Sequence, residues 1–334
     1  MVCCRNKKNR SCEGSEQIRR IQDRRTGMEK RAKKIINVIS LAAVWGLCMC
    51  CPILAAENKK QSDNLRIAVT AETAKVYSHA LESSDVVKHV AFGQQLQVKQ
   101  YSKNWYCVEG GYIRKTDAVL YDVNKKYIAL TFDDGPNEIN TKTVLDALEK
   151  YEAKATFMVI GQNINSTTGE LVKREKELGC EIGNHSYSHA NFKTIAPDEA
   201  QEELQKTDEA VEEYTGEKPT LIRAPYGLCE NDVLCCMDRP NVSWSVDTED
   251  WKYKDSDRLV RYVMENASDG AIVLMHDIYK TTAQAVEPIL EALIEQNYEM
   301  MTVTELSAIK GVELEAGETY RLFQKEDETM SVIK

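Results

Sequence analysis

The chain has 334 residues, 43% hydrophobic and 29% charged, with a net charge of -10. That balance excludes a polytopic membrane protein and a disordered chain, and it leaves room for two ordinary domains. The charge is unevenly spread: residues 1–34 carry 12 Lys/Arg against 4 Asp/Glu, residues 35–56 carry none, and residues 57–334 carry 31 against 49. An acidic body lacks the basic stripe that phosphate backbones require, so no nucleic-acid partner is expected.

In chain order, residues 1–34 read as a basic cytoplasmic tail and residues 35–56 as a transmembrane anchor or signal segment. From Ile35 to Leu54 the chain is apolar apart from Asn37, Ser40 and Pro52, long enough to cross the roughly 30 Å hydrocarbon layer. With all the basic residues before it, the positive-inside bias puts everything after Ala56 outside the cell membrane, single-pass. The alternative is secretion after signal-peptide cleavage, helped by Met28 as a second start and by Ala55-Ala56. Against it, the run exceeds the usual signal core of about 7–15 residues, and Leu54 is not small. Of the eleven cysteines, only Cys107, Cys180, Cys229, Cys235 and Cys236 follow this segment. They contain no C-x-x-C pair, which argues against a zinc knuckle; a bridge from Cys229 to Cys235 or Cys236 and plain burial are both open.

Residues 57–64 read as linker. Over 65–121, short alternating runs (Arg66 to Ala71, Lys75 to Tyr77, Val86 to Phe92, Leu96 to Tyr101, Trp105 to Val108, Tyr112 to Arg114) predict a small all-β barrel. Through Asn104-Trp105-Tyr106-Cys107-Val108 and Gly111-Tyr112-Ile113 this stretch resembles a bacterial SH3-like domain, which implies either a cell-wall-binding module or a spacer.

From Tyr127 the rhythm becomes apolar runs of four to seven residues alternating with amphipathic stretches, the signature of βα units. Strands are predicted at Tyr127–Phe132, Ala155–Ile160, Glu181–Gly183, Leu221–Arg223, Val242–Val246, Ala271–Met275 and Met300–Val303. Helices are predicted at Thr141–Tyr151, Thr168–Leu178, Asp198–Tyr214, Asp257–Asn266 and Thr281–Glu295. The fold class expected for 127–310 is α/β, a distorted (β/α) barrel of about seven strands, with 311–334 as a C-terminal tail.

In such barrels reactive groups lie at the C-terminal ends of strands. Five polar clusters sit there: Thr131-Phe132-Asp133-Asp134-Gly135-Pro136, His185-Ser186-Tyr187-Ser188-His189, Arg223-Ala224-Pro225-Tyr226, Asp247-Thr248-Glu249-Asp250-Trp251 and Leu274-Met275-His276. Each alone has a bland reading: turn chemistry, an incidental histidine pair on one helical face, a surface arginine, a core histidine. All five at consecutive strand ends do not arise by chance.

In order and spacing these clusters resemble the five motifs of the polysaccharide deacetylase family, carbohydrate esterase family 4, also called the NodB-homology domain. The resemblance covers Tyr127 to Leu306; a small departure is Asn297 before Tyr298, where relatives often have Gly. It implies a divalent metal, Zn2+ or else Co2+, held by Asp134, His185 and His189. It also implies Asp133 as general base, His276 as general acid oriented by Asp250, and Arg223 supporting Asp133. The backbone N–H of Tyr226 is implied as oxyanion donor, with Trp251 and Leu274 as the apolar wall around an acetyl methyl. The expected substrate is a cell-wall polysaccharide, peptidoglycan N-acetylglucosamine first; chitooligosaccharide, a secreted poly-N-acetylglucosamine, acetylxylan and a non-catalytic wall-binding protein remain as alternatives.

Overall fold

The computed structural model describes residues 64–229 and 231–323. The span predicted at 35–56 lies outside them; among the described residues no helix is long and apolar enough to cross a membrane.

Eight strands form the first module: β1 Leu65–Val69, β2 Thr73–Tyr77, β3 Val86–Ala91, β4 Gln95–Gln97, β5 Gln100–Tyr101, β6 Trp105–Val108, β7 Gly111–Arg114 and β8 Ala118–Asp122. They pair antiparallel in the orders β4-β1-β8 and β3-β2-β7-β6-β5. Alternation along each strand sends Ile67, Val69, Val76, Tyr106, Val108 and Ile113 into one core. Gly111 is needed where β7 crosses β2, since a Cβ there would stand 2.3 Å from Tyr77 O.

The second unit runs β9 Lys126–Asp133, α1 Asn140–Tyr151, β10 Thr156–Val159, α2 Gly169–Glu177, β11 Glu181–Asn184, α3 Pro197–Thr215 and α4 Asn231–Leu234. It continues with β12 Asn241–Val242, β13 Val246–Asp247, α5 Asp250–Tyr253, α6 Ser256–Asn266, β14 Ile272–His276, α7 Lys280–Glu295, β15 Tyr298–Met301, α8 Val303–Lys310 and β16 Thr319–Tyr320. Parallel strands lie in the order β11-β10-β9-β14-β13, with β15 beside the lower half of β9. Ile222 bridges Asn184 and Asn241, carrying the ring on to β12. The result is the distorted α/β barrel expected.

Four expectations are corrected. The strand at Leu221–Arg223 shrinks to the bridging residue Ile222, and Val242–Val246 breaks into β12 and β13. The cause is Arg223, whose guanidinium takes the carbonyls of Val242 (2.8 Å) and Ser243 (3.0 Å). The last predicted strand ends at Met301, because Thr302 caps α8: its hydroxyl accepts from Glu305 N and the Glu305 carboxylate accepts from Thr302 N, both at 3.2 Å. Residues 311–323 are no loose tail. β16 pairs with β12, Leu322 bridges Ala271 and Phe323 is buried. Among the described residues there is no disulfide, so Cys229 is bridged to neither Cys235 nor Cys236. Asn297 adopts φ 66, the left-handed turn that Gly or Asn tolerates.

Strand alternation assigns the two faces of the sheet. On β9, Ile128, Leu130 and Phe132 face the helix layer with Leu145, Leu148, Val286 and Leu290. Tyr127 and Ala129 point into the barrel, and by the same period so do Thr131 and Asp133. The barrel's lower interior joins Ile272, Val242 and Met301 to Leu306 and Ile309 of α8 and to Ala68, Val119 and Tyr121 of the first module. Gln95 Nε2 donates to Ile309 O at 2.9 Å across this floor.

One polar residue is out of place. Glu175 lies on the core-facing side of α2 with Val172, is fully buried, and neither carboxylate oxygen has a hydrogen-bond partner among the described residues. Burial, and then the Asp277 charge, holds its pKa well above the ordinary carboxylate value. A raised folded-state pKa contributes stability that is complete below the unfolded value and is lost as pH rises toward the folded one. Glu175→Met is therefore expected to stabilise the protein, by about 1–3 kcal/mol at neutral pH, where an unpaired buried polar group costs most. Thermal unfolding at pH 7 and pH 4 checks this: the gain in Tm should be larger at pH 7, and an equal or reversed gain refutes it.

Candidate active site

Inward residues at the top of β9 and β14 stand side by side. The parallel register sets His276 opposite Asp133 and Leu274 opposite Thr131. Asp133 is buried and accepts from Arg223 Nη1 at 2.6 Å. The same Nη1 donates to Thr131 Oγ1 at 2.7 Å, and the Thr131 hydroxyl donates to Val273 O at 2.7 Å. Arg223 is 1% exposed, so its donors must find partners inside the barrel: Nη1 serves Asp133 and Thr131, Nε the Val242 carbonyl and Nη2 the Ser243 carbonyl. The arginine thereby fixes the carboxylate in place.

Asp134 follows at φ 73, which turns its side chain away from its neighbour's. Its backbone oxygen accepts from Asn163 Nδ2 at 2.8 Å. The next residue must be Gly, since a Cβ on Gly135 would meet the buried Asp277 carboxylate at 2.6 Å. Asp277 in turn accepts from Thr141 Oγ1, which accepts from Asn137 N at 2.7 Å, so this pair pins the loop that carries Asp133 and Asp134.

His185 and His189 lie on an irregular loop after β11 rather than on one helical face as their spacing suggested, with Ser186 at φ 63 and His189 at φ 61. Sequence reasoning missed what holds this loop. Asn184 Oδ1 accepts from Ser186 N at 2.9 Å, and Glu203 Oε2 on α3 accepts from Tyr187 N at 3.0 Å and Ser188 N at 2.7 Å. His185 Nδ1–H donates to Arg223 O at 2.7 Å, which fixes the tautomer and leaves Nε2 as a lone pair. That Nε2 is 3.5 Å from Asp134 Oδ1, and His189 Nε2 is 3.4 Å from the same oxygen. Burial first, and then His185, hold His189 below its ordinary pKa, in the neutral form that ligates.

These atoms fit a divalent metal. Asp134 Oδ1 is buried without a hydrogen-bond partner among the described residues, and the three donors lie within 4.8 Å of one another. The short separations match the roughly 3.3–3.4 Å between two ligands about 2.0–2.1 Å from a shared tetrahedral ion. His185 Nε2 is farther, 3.7 Å, from Asp133 Oδ2, and Asp133 is already paired with arginine, so it stands beside the donor set rather than in it.

Across the barrel mouth His276 Nδ1 binds Asp250 Oδ1 at 2.7 Å, and its backbone N–H donates to Oδ2 at 2.8 Å. Thr282 Oγ1, unforeseen, donates to Oδ2 at 2.7 Å, so Asp250 has little freedom. Burial opposes a charge on His276, but the hydrogen bond and carboxylate of Asp250, with Asp133 and Asp134 beyond, outweigh it and push the imidazole up to about 9. Leu274 is buried in the wall, Trp251 is half exposed on the rim, and Tyr226, at φ 61, places its ring 4.5 Å from that of His189. All ten residues singled out from the sequence belong to the ends of these strands and the loops that follow them.

A three-donor metal site flanked by an arginine-held carboxylate and a carboxylate-held imidazole is the layout of a hydrolytic metal centre. The family model for polysaccharide deacetylases matches residues 121–239. A peptidoglycan-N-acetylglucosamine deacetylase of Listeria monocytogenes is 44% identical over 205 residues, 61% of this chain and 43% of the relative, so this chain spans less than half of that relative's length. A peptidoglycan-N-acetylglucosamine deacetylase of Bacillus cereus is 34% identical over 208 residues, 59% of this chain and 97% of its own. A family 4 acetyl xylan esterase from Clostridium thermocellum, solved with a cobalt ion, superposes with a TM-score of 0.57 at 33% identity, covering 59% of this chain and 98% of that one. The chain belongs to the polysaccharide deacetylase family.

Proposed function

We propose that the chain is a metal-dependent deacetylase that hydrolyses N-acetyl groups of an amino-sugar polymer, peptidoglycan N-acetylglucosamine foremost. The observation that carries this reading is the Asp134–His185–His189 donor set between Asp133 and His276. A divalent ion held there, zinc or the cobalt of the Clostridium relative, supplies Lewis acidity and lowers the pKa of water. Asp133, held by Arg223, takes the proton of the attacking water. His276, cationic against Asp250, gives a proton to the departing nitrogen, without which the amine leaves poorly. Tyr226 N–H is assigned to the developing oxyanion by family resemblance, and Leu274 with Trp251 to the acetyl methyl. Two curated relatives named for peptidoglycan favour that substrate. Display outside the cell membrane, anchored through 35–56 or released by cleavage, is the location that suits it.

Acetate release by the 334-residue chain from peptidoglycan, chitooligosaccharide and acetylxylan tests the proposal. Peptidoglycan should be the best substrate, a chelator should abolish turnover, and zinc or cobalt should restore it. A metal-loaded protein that releases no acetate from any of the three, yet binds wall polymer, would be a binding protein instead.

A further inference from the structure

The rim beside His276 carries a cation that the reaction does not use. Residues 57–334 have 31 basic against 49 acidic residues, so an anionic polymer meets a repelling surface overall. Just before α5, Glu249 is engaged by Lys252 of α5 at 3.0 Å and by Arg258 of α6 at 3.8 Å. Lys254 is different: it is exposed, and among the described residues no carboxylate forms an ion pair with it. Its backbone turns left-handed, φ 47, with its N–H donating to Asp250 O at 3.1 Å, and its ammonium stands 5.1 Å from the centre of the Tyr279 ring. Tyr279 follows the His276 loop, its ring 5.8 Å from the imidazole. The aromatic face restrains a side chain that would otherwise sample many rotamers, and it does so one ring away from the reacting end of the site.

We propose that Lys254, laid against Tyr279, binds a carboxylate carried by the sugar next to the acetylated one and so selects wall glycan over neutral N-acetylated polymers. The proposal rests on the deacetylase reading and names the chemistry that distinguishes its substrates. Both polymers present the same acetamide to Asp133 and His276; only wall glycan brings an anion, from the lactyl ether or from the peptide attached to it.

The test compares kcat/KM for peptide-bearing peptidoglycan fragments and chitotetraose in the wild type and in K254A, K254E and K254R. The preference for the charged substrate should fall about tenfold in K254A, chiefly through KM, as for a charged hydrogen bond at a rim. It should fall further in K254E and return in K254R. About 0.5 M NaCl should erode the wild-type preference and leave that of K254A unmoved. Binding of both ligands is also measured in an Asp133→Asn background, where the same preference must appear without turnover; this reads Lys254 even if no acetate is released. Strands stripped of peptide assign the source: preference kept places the lactyl carboxylate at Lys254, preference lost places the peptide's. An unchanged preference in K254A, or an equal loss on both ligands, overturns the proposal.

Discussion

Asp133→Asn is expected to lower kcat on an N-acetylated glycan by about 10²–10⁴-fold, the range for loss of a general base, while metal content stays at the wild-type level. The donor set does not include Asp133, whose Oδ1 is committed to Arg223 at 2.6 Å. His276→Ala, on the opposite side of the mouth, should also keep its metal. Its defect should be smaller on an O-acetyl ester than on the amide, because an alkoxide departs with less help from an acid than an amine does. Matched ester and amide substrates, with metal analysis of each variant, decide the matter. Metal loss in His276→Ala, or an active Asp133→Asn, would reverse the two roles.

His185→Ala should be the most damaging single change. It removes a donor and also strands Arg223 O, which now accepts the Nδ1 proton at 2.7 Å inside a buried site. Loss of an outer-shell partner alone costs about 10–100-fold in metal affinity, so loss of a donor should exceed about 100-fold, with turnover falling to background. Asp134→Ala should behave likewise, since its Oδ1 lies within reach of both imidazoles. Zinc content after dialysis, set beside acetate release, checks this; a variant that keeps equimolar zinc and full activity would place the centre elsewhere.

The site was legible because its chemistry is local in sequence. Asp133-Asp134 and His276 fall at the end of apolar runs and His185 with His189 directly after β11, and strand alternation turns Asp133 inward opposite His276. What holds them was not legible. Glu203 reaches the His185–His189 loop from α3, Thr282 reaches Asp250 from α7, and Thr141 meets Asp277 across more than a hundred residues. No spacing in one sequence marks such pairs. The broken strand after Val242 was hidden for a related reason: the carbonyls that would have formed a ladder are taken by a side chain from Arg223. β16 is two residues long and reads as tail until Asn241 pairs with Thr319 and Phe323 is seen to be buried. The cap on α8 could have been read, as Thr302 and Glu305 have the spacing of a capping box.

The apolar floor of the barrel bears on how the molecule melts. Ala68, Val119 and Tyr121 share one core with Leu306, Ile309 and Ile272. Neither part can loosen without wetting the other, so calorimetry of residues 64–323 should give a single cooperative endotherm rather than two. A fragment begun at Lys126 would bare Leu306 and Ile309 as a continuous oily patch, the kind of surface through which proteins self-associate. The β module is then less a passenger on the barrel than its stopper.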